Sequence, residues 1–258
     1  HVDVGGPLLI PHLPAGLLYL SLPRIQDIND VLLSLLPLKL RTFKAPHSFR
    51  ITQMELLPRT LRSLRLHHIA DAKIAALPPQ LTELRLEEWS FQNSTLSWAG
   101  VCKLPDTLTE LRLSELHLAD ADFAQFKWPK QLKTLGLGLG STISDGAISR
   151  LPRGLVSLTI PASPGLTGAC FALLPRHLCE LVVTSPFDFT GADLIHLPRS
   201  LVSLEFWNDE LTEECAQHLP PLLYEVFLHC NLFTEATLRQ HLQFVETIRI
   251  FHSRRSSS

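Results

Sequence analysis

The stretch Leu57-Pro58-Arg59-Thr60-Leu61-Arg62-Ser63-Leu64-Arg65-Leu66 decides the fold, because the frame it sets, L-P-x-x-L-x-x-L-x-[L/I/V/F], returns down the whole chain. The frame opens at Leu13-Pro14, Leu36-Pro37, Leu57-Pro58, Leu77-Pro78, Leu104-Pro105, Trp128-Pro129, Leu151-Pro152, Leu174-Pro175, Leu197-Pro198 and Leu219-Pro220, with a degenerate last copy at His241-Leu242. The second positions of successive frames lie 20 to 27 residues apart. A period of that length across nearly all of the 258 residues means a stacked repeat protein, overriding the usual prior of one or two globular domains.

Within a frame such as Leu201-Val202-Ser203-Leu204-Glu205-Phe206, the last two apolar residues are two apart, as a strand with one inward face requires. Proline cannot donate to a ladder and disfavours helix at the residue before it, so Leu-Pro ends one segment and opens the next without losing a needed hydrogen bond. Counting back from the second frame position gives an apolar residue at minus nine and Ser or Thr at minus eight, as in Ile143-Ser144-Asp145, Leu166-Thr167-Gly168, Phe189-Thr190-Gly191, Leu211-Thr212-Glu213 and Phe233-Thr234-Glu235. Such hydroxyls accept hydrogen bonds at a helix start and a following acid suits the positive end of the helix dipole, which predicts a short helix or helical turn behind each strand. No unit of this size buries its apolar positions alone; stacking makes the core continuous.

This frame resembles the leucine-rich-repeat superfamily, and within it the Leu-Pro repeats of FNIP-like proteins and of bacterial effectors beginning LPxxLxxLxV. The resemblance implies an α/β solenoid, a horseshoe with a parallel concave β-sheet and short helices or helical turns on the convex side. Residues 13–252 are then a solenoid of about eleven units, 1–12 an N-terminal flank or edge cover, and 253–258 a disordered tail. The chain departs from the superfamily in its asparagine: the residue usual after the strand occurs at Asn231, while Asp209, Pro186, Ser163 and Trp89 hold that register elsewhere. A buried asparagine ladder is therefore not expected. Some Leu-Pro effectors carry a ubiquitin ligase with a catalytic Cys in a C-x-D context, which none of Cys102, Cys170, Cys179, Cys215 and Cys230 matches.

Composition narrows the function. A net charge of −2 argues against a dominant electrostatic role on nucleic acid or anionic membrane, and no apolar run is long enough to span a bilayer. The chain opens on His1-Val2-Asp3 with Met54 as its single methionine, which suggests an excised or processed segment of a longer protein. Five cysteines at unpaired spacings point to reduced thiols and an intracellular, cytoplasmic setting.

Catalytic signatures are weak. Gly136-Leu137-Gly138-Leu139-Gly140 is not G-x-G-x-x-G and lies on a strand; it implies a bare concave patch at Gly136 and Gly138 instead of a phosphate loop. His67-His68 lack further ligands at zinc-like spacing and read as solvent-exposed or strand-end histidines, so no metal, cofactor or catalytic residue is expected. The ninth frame position faces away from the core and reads Ser21, Lys44, Arg65, Arg85, Arg112, Gly136, Thr159, Val182, Glu205, Phe227 and Arg249. Two concave patches follow. One is a polar stripe of Lys44, Arg65, Arg85 and Arg112 with His67, Glu83, Glu87 and Glu110 beside it, either a salt-bridged surface or an anionic partner's site. The other is an aromatic patch of Glu205, Trp207, Phe227, His229, Arg249 and Phe251, either an interface anchor or a cover for the C-terminal edge. The leading expectation is a monomeric, non-enzymatic module that binds another protein on the concave sheet. The alternatives are a substrate-recognition domain of a larger enzyme such as a ligase, and polyanion or nucleic-acid binding through the Lys/Arg stripe.

Overall fold

A computed structural model describes residues 2–3, 11–23, 25, 28–48, 51–87, 96–113, 119–138, 142–161, 163–184, 188–208, 211–230 and 232–251. The predicted tail, Gly140, Trp89, Pro186, Asp209 and Asn231 lie outside these residues. The strands are β1 (Val2–Asp3), β2 (Tyr19–Ser21), β3 (Thr42–Ala45), β4 (Ser63–Leu66), β5 (Glu83–Leu86), β6 (Glu110–Leu113), β7 (Thr134–Leu137), β8 (Ser157–Ile160), β9 (Glu180–Val183), β10 (Ser203–Trp207), β11 (Glu225–His229) and β12 (Thr247–Phe251). They form one sheet in chain order. Each frame supplies one strand as the spacing predicts, and the N-terminal flank adds a further one, β1, paired in parallel with β2.

The repeat physics is visible at every Leu-Pro. The leucine before proline is extended, with φ −59° and ψ 148° at Leu77 and φ −60° and ψ 150° at Leu174, which stops the preceding helical turn. The proline carbonyl then accepts from the N–H of the fifth frame residue, Leu61 on Pro58 at 3.1 Å and Leu201 on Pro198 at 3.2 Å, so the chain turns into its strand. Leucines at positions five, eight and ten, such as Leu61, Leu64 and Leu66, are buried. The ninth position alternates outward: β4, β5, β6 and β9 share a half-buried, buried, half-buried, buried pattern.

Behind the strands lie α1 (Asp30–Leu33), α2 (Trp98–Val101), α3 (Asp120–Gln125), α4 (Asp145–Ile148) and α5 (Glu235–His241), with 3-10 turns such as Gly168–Leu173 and Glu213–His218 in other repeats. Three of the predicted caps form: Ser144 accepts from Gly146, Thr167 from Ala169 and Thr234 from Thr237. Thr190 and Thr212 make no such cap, because the Thr190 hydroxyl and N–H both donate to Asp193, and Thr212 lies 3.7 Å from the Cys215 sulfur.

The acid after the cap does more than suit a dipole: it joins neighbouring repeats. Asp30 accepts from Thr52 N–H, Thr52 Oγ1 and Gln53 N–H. Asp71 accepts from the N–H and hydroxyl of Ser97, Asp120 from those of Ser144, and Asp145 from those of Thr167. Glu213 is held in the same way by Thr234 and Thr237. Where the acid is replaced by glycine, the next repeat fills the space. A Cβ at Gly168 would lie 2.2 Å from Asp193 Cγ, and one at Gly191 would lie 2.0 Å from Cys215 Sγ.

The chain divides into two compact units. One comprises His1–His117, Phe126–Leu132 and Gly136–Gly138, the other Leu118–Gln125, Lys133–Leu135 and Leu139–Ser258. In the second unit the buried rings of Phe171, Phe189 and Phe206 meet edge to face, at 5.2 and 5.6 Å between centroids, and tie three repeats together. The missing asparagine ladder has a partial substitute one residue earlier than expected: buried Asn208 donates its side-chain N–H to the Phe189 carbonyl at 3.0 Å.

Candidate binding face

On the open face of the first unit, the strand register aligns Ser21, Lys44, Arg65, Arg85 and Arg112 as one row, and Glu83 beside Glu110 in the next. Stacked cations at strand spacing repel, and the flanking carboxylates relieve this. Arg65 lies 2.6 Å from Glu87, Arg85 2.6 Å from Glu110, and Arg112 3.0 Å from the same Glu110 oxygen. Lys44 sits 5.2 Å over the Tyr19 ring. The stripe is thus a nearly self-neutralised surface.

Of the two readings of the histidine pair, strand end holds for His67 and exposure does not: it follows the end of β4, is only 4% accessible, and its Nδ1 lies 3.0 Å from Nδ1 of His68, so it is not an open member of the stripe. Burial, then the neighbouring charges of His68 and His47, pushes its pKa below the ordinary histidine value, so the ring is held neutral. Gly136 is not a bare patch either. It is buried, and a Cβ there would lie 3.1 Å from Arg112 Cγ, so the aliphatic stem of Arg112 occupies the space a side chain would take. Among the described residues no group of three or more His, Cys, Asp or Glu side chains is arranged to hold a metal ion.

The second unit carries the aromatic patch, and the register explains its geometry. Trp207, His229 and Phe251 are direct partners on β10, β11 and β12, one residue beyond the last inward position. Parallel strands lie roughly 4.8 Å apart, close to the distance at which flat rings stack. The Trp207 and His229 rings are 3.6 Å apart and 5° from parallel, and His229 and Phe251 are 4.4 Å apart at 12°. The row beside them aligns Val182, Glu205, Phe227 and Arg249. Arg249 lies 5.7 Å over the Phe227 ring, and the Glu205 carboxylate is 3.6 Å from His229 Nε2. All six residues of the predicted patch therefore come together, as a pile of three rings with a mixed charged border. Its outer members remain open, Trp207 39% and Phe251 45% exposed.

No protein-family model matches this sequence, and no curated protein matches it. Solved structures do. Rad7, in the structure of its complex with Elc1 in yeast, aligns over 98% of this chain and 82% of its own, with a TM-score of 0.61 at 15% identity. The leucine-rich-repeat-containing protein LegL7 from Legionella pneumophila aligns over 98% of this chain and 89% of its own, with a TM-score of 0.48 at 15% identity. An internalin (inlF) from Listeria monocytogenes aligns over 93% and 76%, with a TM-score of 0.49 at 18% identity. At 15% identity what this chain shares with Rad7 is the fold.

Proposed function

We propose that this chain, which has the leucine-rich-repeat fold, is a non-enzymatic recognition module that docks another protein on the open sheet face of its second unit, with Trp207, His229 and Phe251 as anchor. The observation that carries this reading is the ring pile: three aromatic side chains stacked on a face the core does not use, with the outer two open to solvent. Exposed Trp is enriched where interfaces concentrate their binding energy, and rings already stacked lose little freedom on docking. Glu205 and Arg249 at the border supply directional contacts of both signs. The polar stripe of the first unit enters as a secondary surface, since Arg65, Arg85 and Arg112 are already engaged by Glu87 and Glu110 and a polyanion would have to displace them. Rad7, the neighbour of the same fold, was itself solved with a protein partner.

The test is partner capture followed by affinity measurement with unaltered chain, Trp207→Ala and Arg85→Ala. Trp207→Ala is expected to weaken the partner by about 30-fold or more, the scale of a binding hot spot. Arg85→Ala should change affinity by less than about threefold. Both should keep the circular dichroism of the unaltered chain. Full affinity in Trp207→Ala overturns the assignment.

A further inference from the structure

The frame demands apolar residues at positions one, five, eight and ten and leaves three, four and six free. In the first unit the sixth position reads Leu18, Arg41, Arg62, Thr82 and Thr109, polar in all but the first repeat. The second unit reads Lys133, then the four-residue apolar run Val156, Cys179, Val202 and Tyr224, and ends on Glu246. These four form a continuous row, since Cys179 N–H donates to Val156 O, Val202 N–H to Cys179 O and Tyr224 N–H to Val202 O, each at 2.8 Å. At the fourth position of the last two repeats stand Leu222 and Phe244, 50% and 60% exposed. Scattered exposed apolar residues are ordinary, whereas a row that the fold does not require calls for an occupant.

Cations flank that row. Arg153, Arg176 and Arg199 hold the third position of three successive repeats and are all exposed, with Arg150 near them. The segments 149–156, 172–179, 195–202 and 217–224 contain no Asp or Glu, but do contain His177, His196 and His218. Arg153 turns its guanidinium to the carbonyls of Leu173 and Ser149, both at 3.3 Å, instead of to a carboxylate. Glu180 and Glu225 follow the row on strands of the sheet face, and Glu246, whose N–H donates to Tyr224 O at 2.9 Å, closes the row in the last repeat. An overall charge of −2 does not cancel this edge, because salt screens charges beyond about 8 Å.

We propose that this edge, where the strands of the second unit begin, is a peripheral docking surface for anionic lipid. The arginines meet headgroup phosphates, which guanidinium forks match, and Val202, Leu222, Tyr224 and Phe244 enter the interfacial layer. Two features favour a lipid surface over an acidic protein segment. The apolar side chains stand out on turns, where a peptide would need a groove. Acids are absent from four successive strand-leading segments, up to Glu246 at the end of the row, as contact with an anionic plane requires along that stretch.

The experiment is flotation of the whole chain with vesicles of phosphatidylcholine alone and of phosphatidylcholine containing phosphatidylserine, at low and high salt. Binding to the mixed vesicles, lost at high salt, is expected. Arg153→Glu/Arg176→Glu/Arg199→Glu should lower partitioning at low salt by about 100-fold, at roughly fivefold per lost cation, and Leu222→Ser/Phe244→Ser should also lower it at low salt while leaving the arginines in place. Trp207→Ala should bind vesicles normally, which separates this edge from the protein-docking face. Equal binding to neutral vesicles, failure of the unaltered chain to bind, or retention by the folded arginine variant each overturns the proposal. So does an acidic Glu-Leu peptide that binds through the same arginines when vesicles do not.

Discussion

Asp145→Ala separates two accounts of the acids that follow the caps. If Asp145 only complements the helix dipole at the start of α4, its removal costs a few tenths of a kcal/mol to about 1 kcal/mol and acts within its own repeat. In the structure its carboxylate accepts from Thr167 N–H at 2.9 Å and from Thr167 Oγ1 at 2.6 Å, joining it to the next repeat. Hydrogen bonds to a charged group contribute about 1.5–3 kcal/mol each when buried, and exposure reduces this, so the pair is worth about 1–2 kcal/mol. The cost alone does not discriminate, since the ranges meet at their edges; the coupling does. Thr167→Val removes the hydroxyl and also its cap on Ala169. In a double-mutant cycle that cap loss cancels, leaving the Oγ1–carboxylate interaction at about 0.5–1.5 kcal/mol. The assay is urea unfolding followed by circular dichroism, with the four variants required to share one denaturant slope so that a single free energy is defined. Additivity of Asp145→Ala and Thr167→Val within about 0.3 kcal/mol would refute the inter-repeat clasp.

The same clasp logic makes further predictions. Gly168→Ala pushes its new Cβ to 2.2 Å from Asp193 Cγ and 2.6 Å from Asp193 Cβ, so Asp193 must release Thr190; the variant should lose about 1 kcal/mol by urea unfolding, and in an Asp193→Gly background, where both atoms are gone, the glycine substitution should be nearly neutral. In Asp30, burial raises the carboxyl pKa, but hydrogen bonds from Thr52 and Gln53 and the Lys73 charge outweigh it, leaving the net value below the ordinary one. Glu213 is lowered chiefly by the Thr234 and Thr237 hydroxyls. Both contributions are therefore complete above the unfolded carboxylate value near 4 and are lost as pH falls through the depressed folded values. Urea midpoints measured down an acid series should fall in that window, and Asp30→Asn should flatten part of the fall; a slope unchanged in Asp30→Asn refutes the assignment. His67, also depressed, adds an earlier loss that begins below about pH 6.5, because the unfolded chain takes up a proton that the buried ring refuses.

The parts of the molecule that repeat were legible in the sequence. Leu61, Leu64 and Leu66 could be assigned to the core because the same spacing recurs at Leu201, Leu204 and Phe206, and repetition averages out the ambiguity of any one short apolar run. The row Lys44, Arg65, Arg85, Arg112 followed from the same register, and so did the row containing Phe227 and Arg249. What the register does not carry is how a side chain resolves its own contacts. His67 lies just past the strand end, where the alternation rule has stopped applying, and it turns inward against His68. At Gly136 the register predicts bare backbone, yet the long stem of Arg112 from another strand fills its space. Asn208 sits one residue off the expected asparagine register, so counting positions passed over it.

The clasp acids show why such contacts stay hidden. Asp145 and Thr167 are 22 residues apart, and each has a sufficient local explanation, one as a dipole partner and one as a cap. Only the stacking distance between repeats brings them together, and the partner at the next step changes identity: Asp145 faces Thr167, but Gly168 leaves room for Asp193 to serve its own repeat. A frame that fixes the leucines fixes the spacing of everything attached to them, so variation is absorbed at positions the frame leaves free. The same freedom placed rings at Trp207, His229 and Phe251, where strand spacing stacks them, and apolar residues at Val156, Val202 and Tyr224, where nothing in the core needs them. Departures from the polar default at positions the scaffold does not constrain are therefore where this chain's binding chemistry has to be sought, and the Leu-Pro frame serves as the ruler that exposes them.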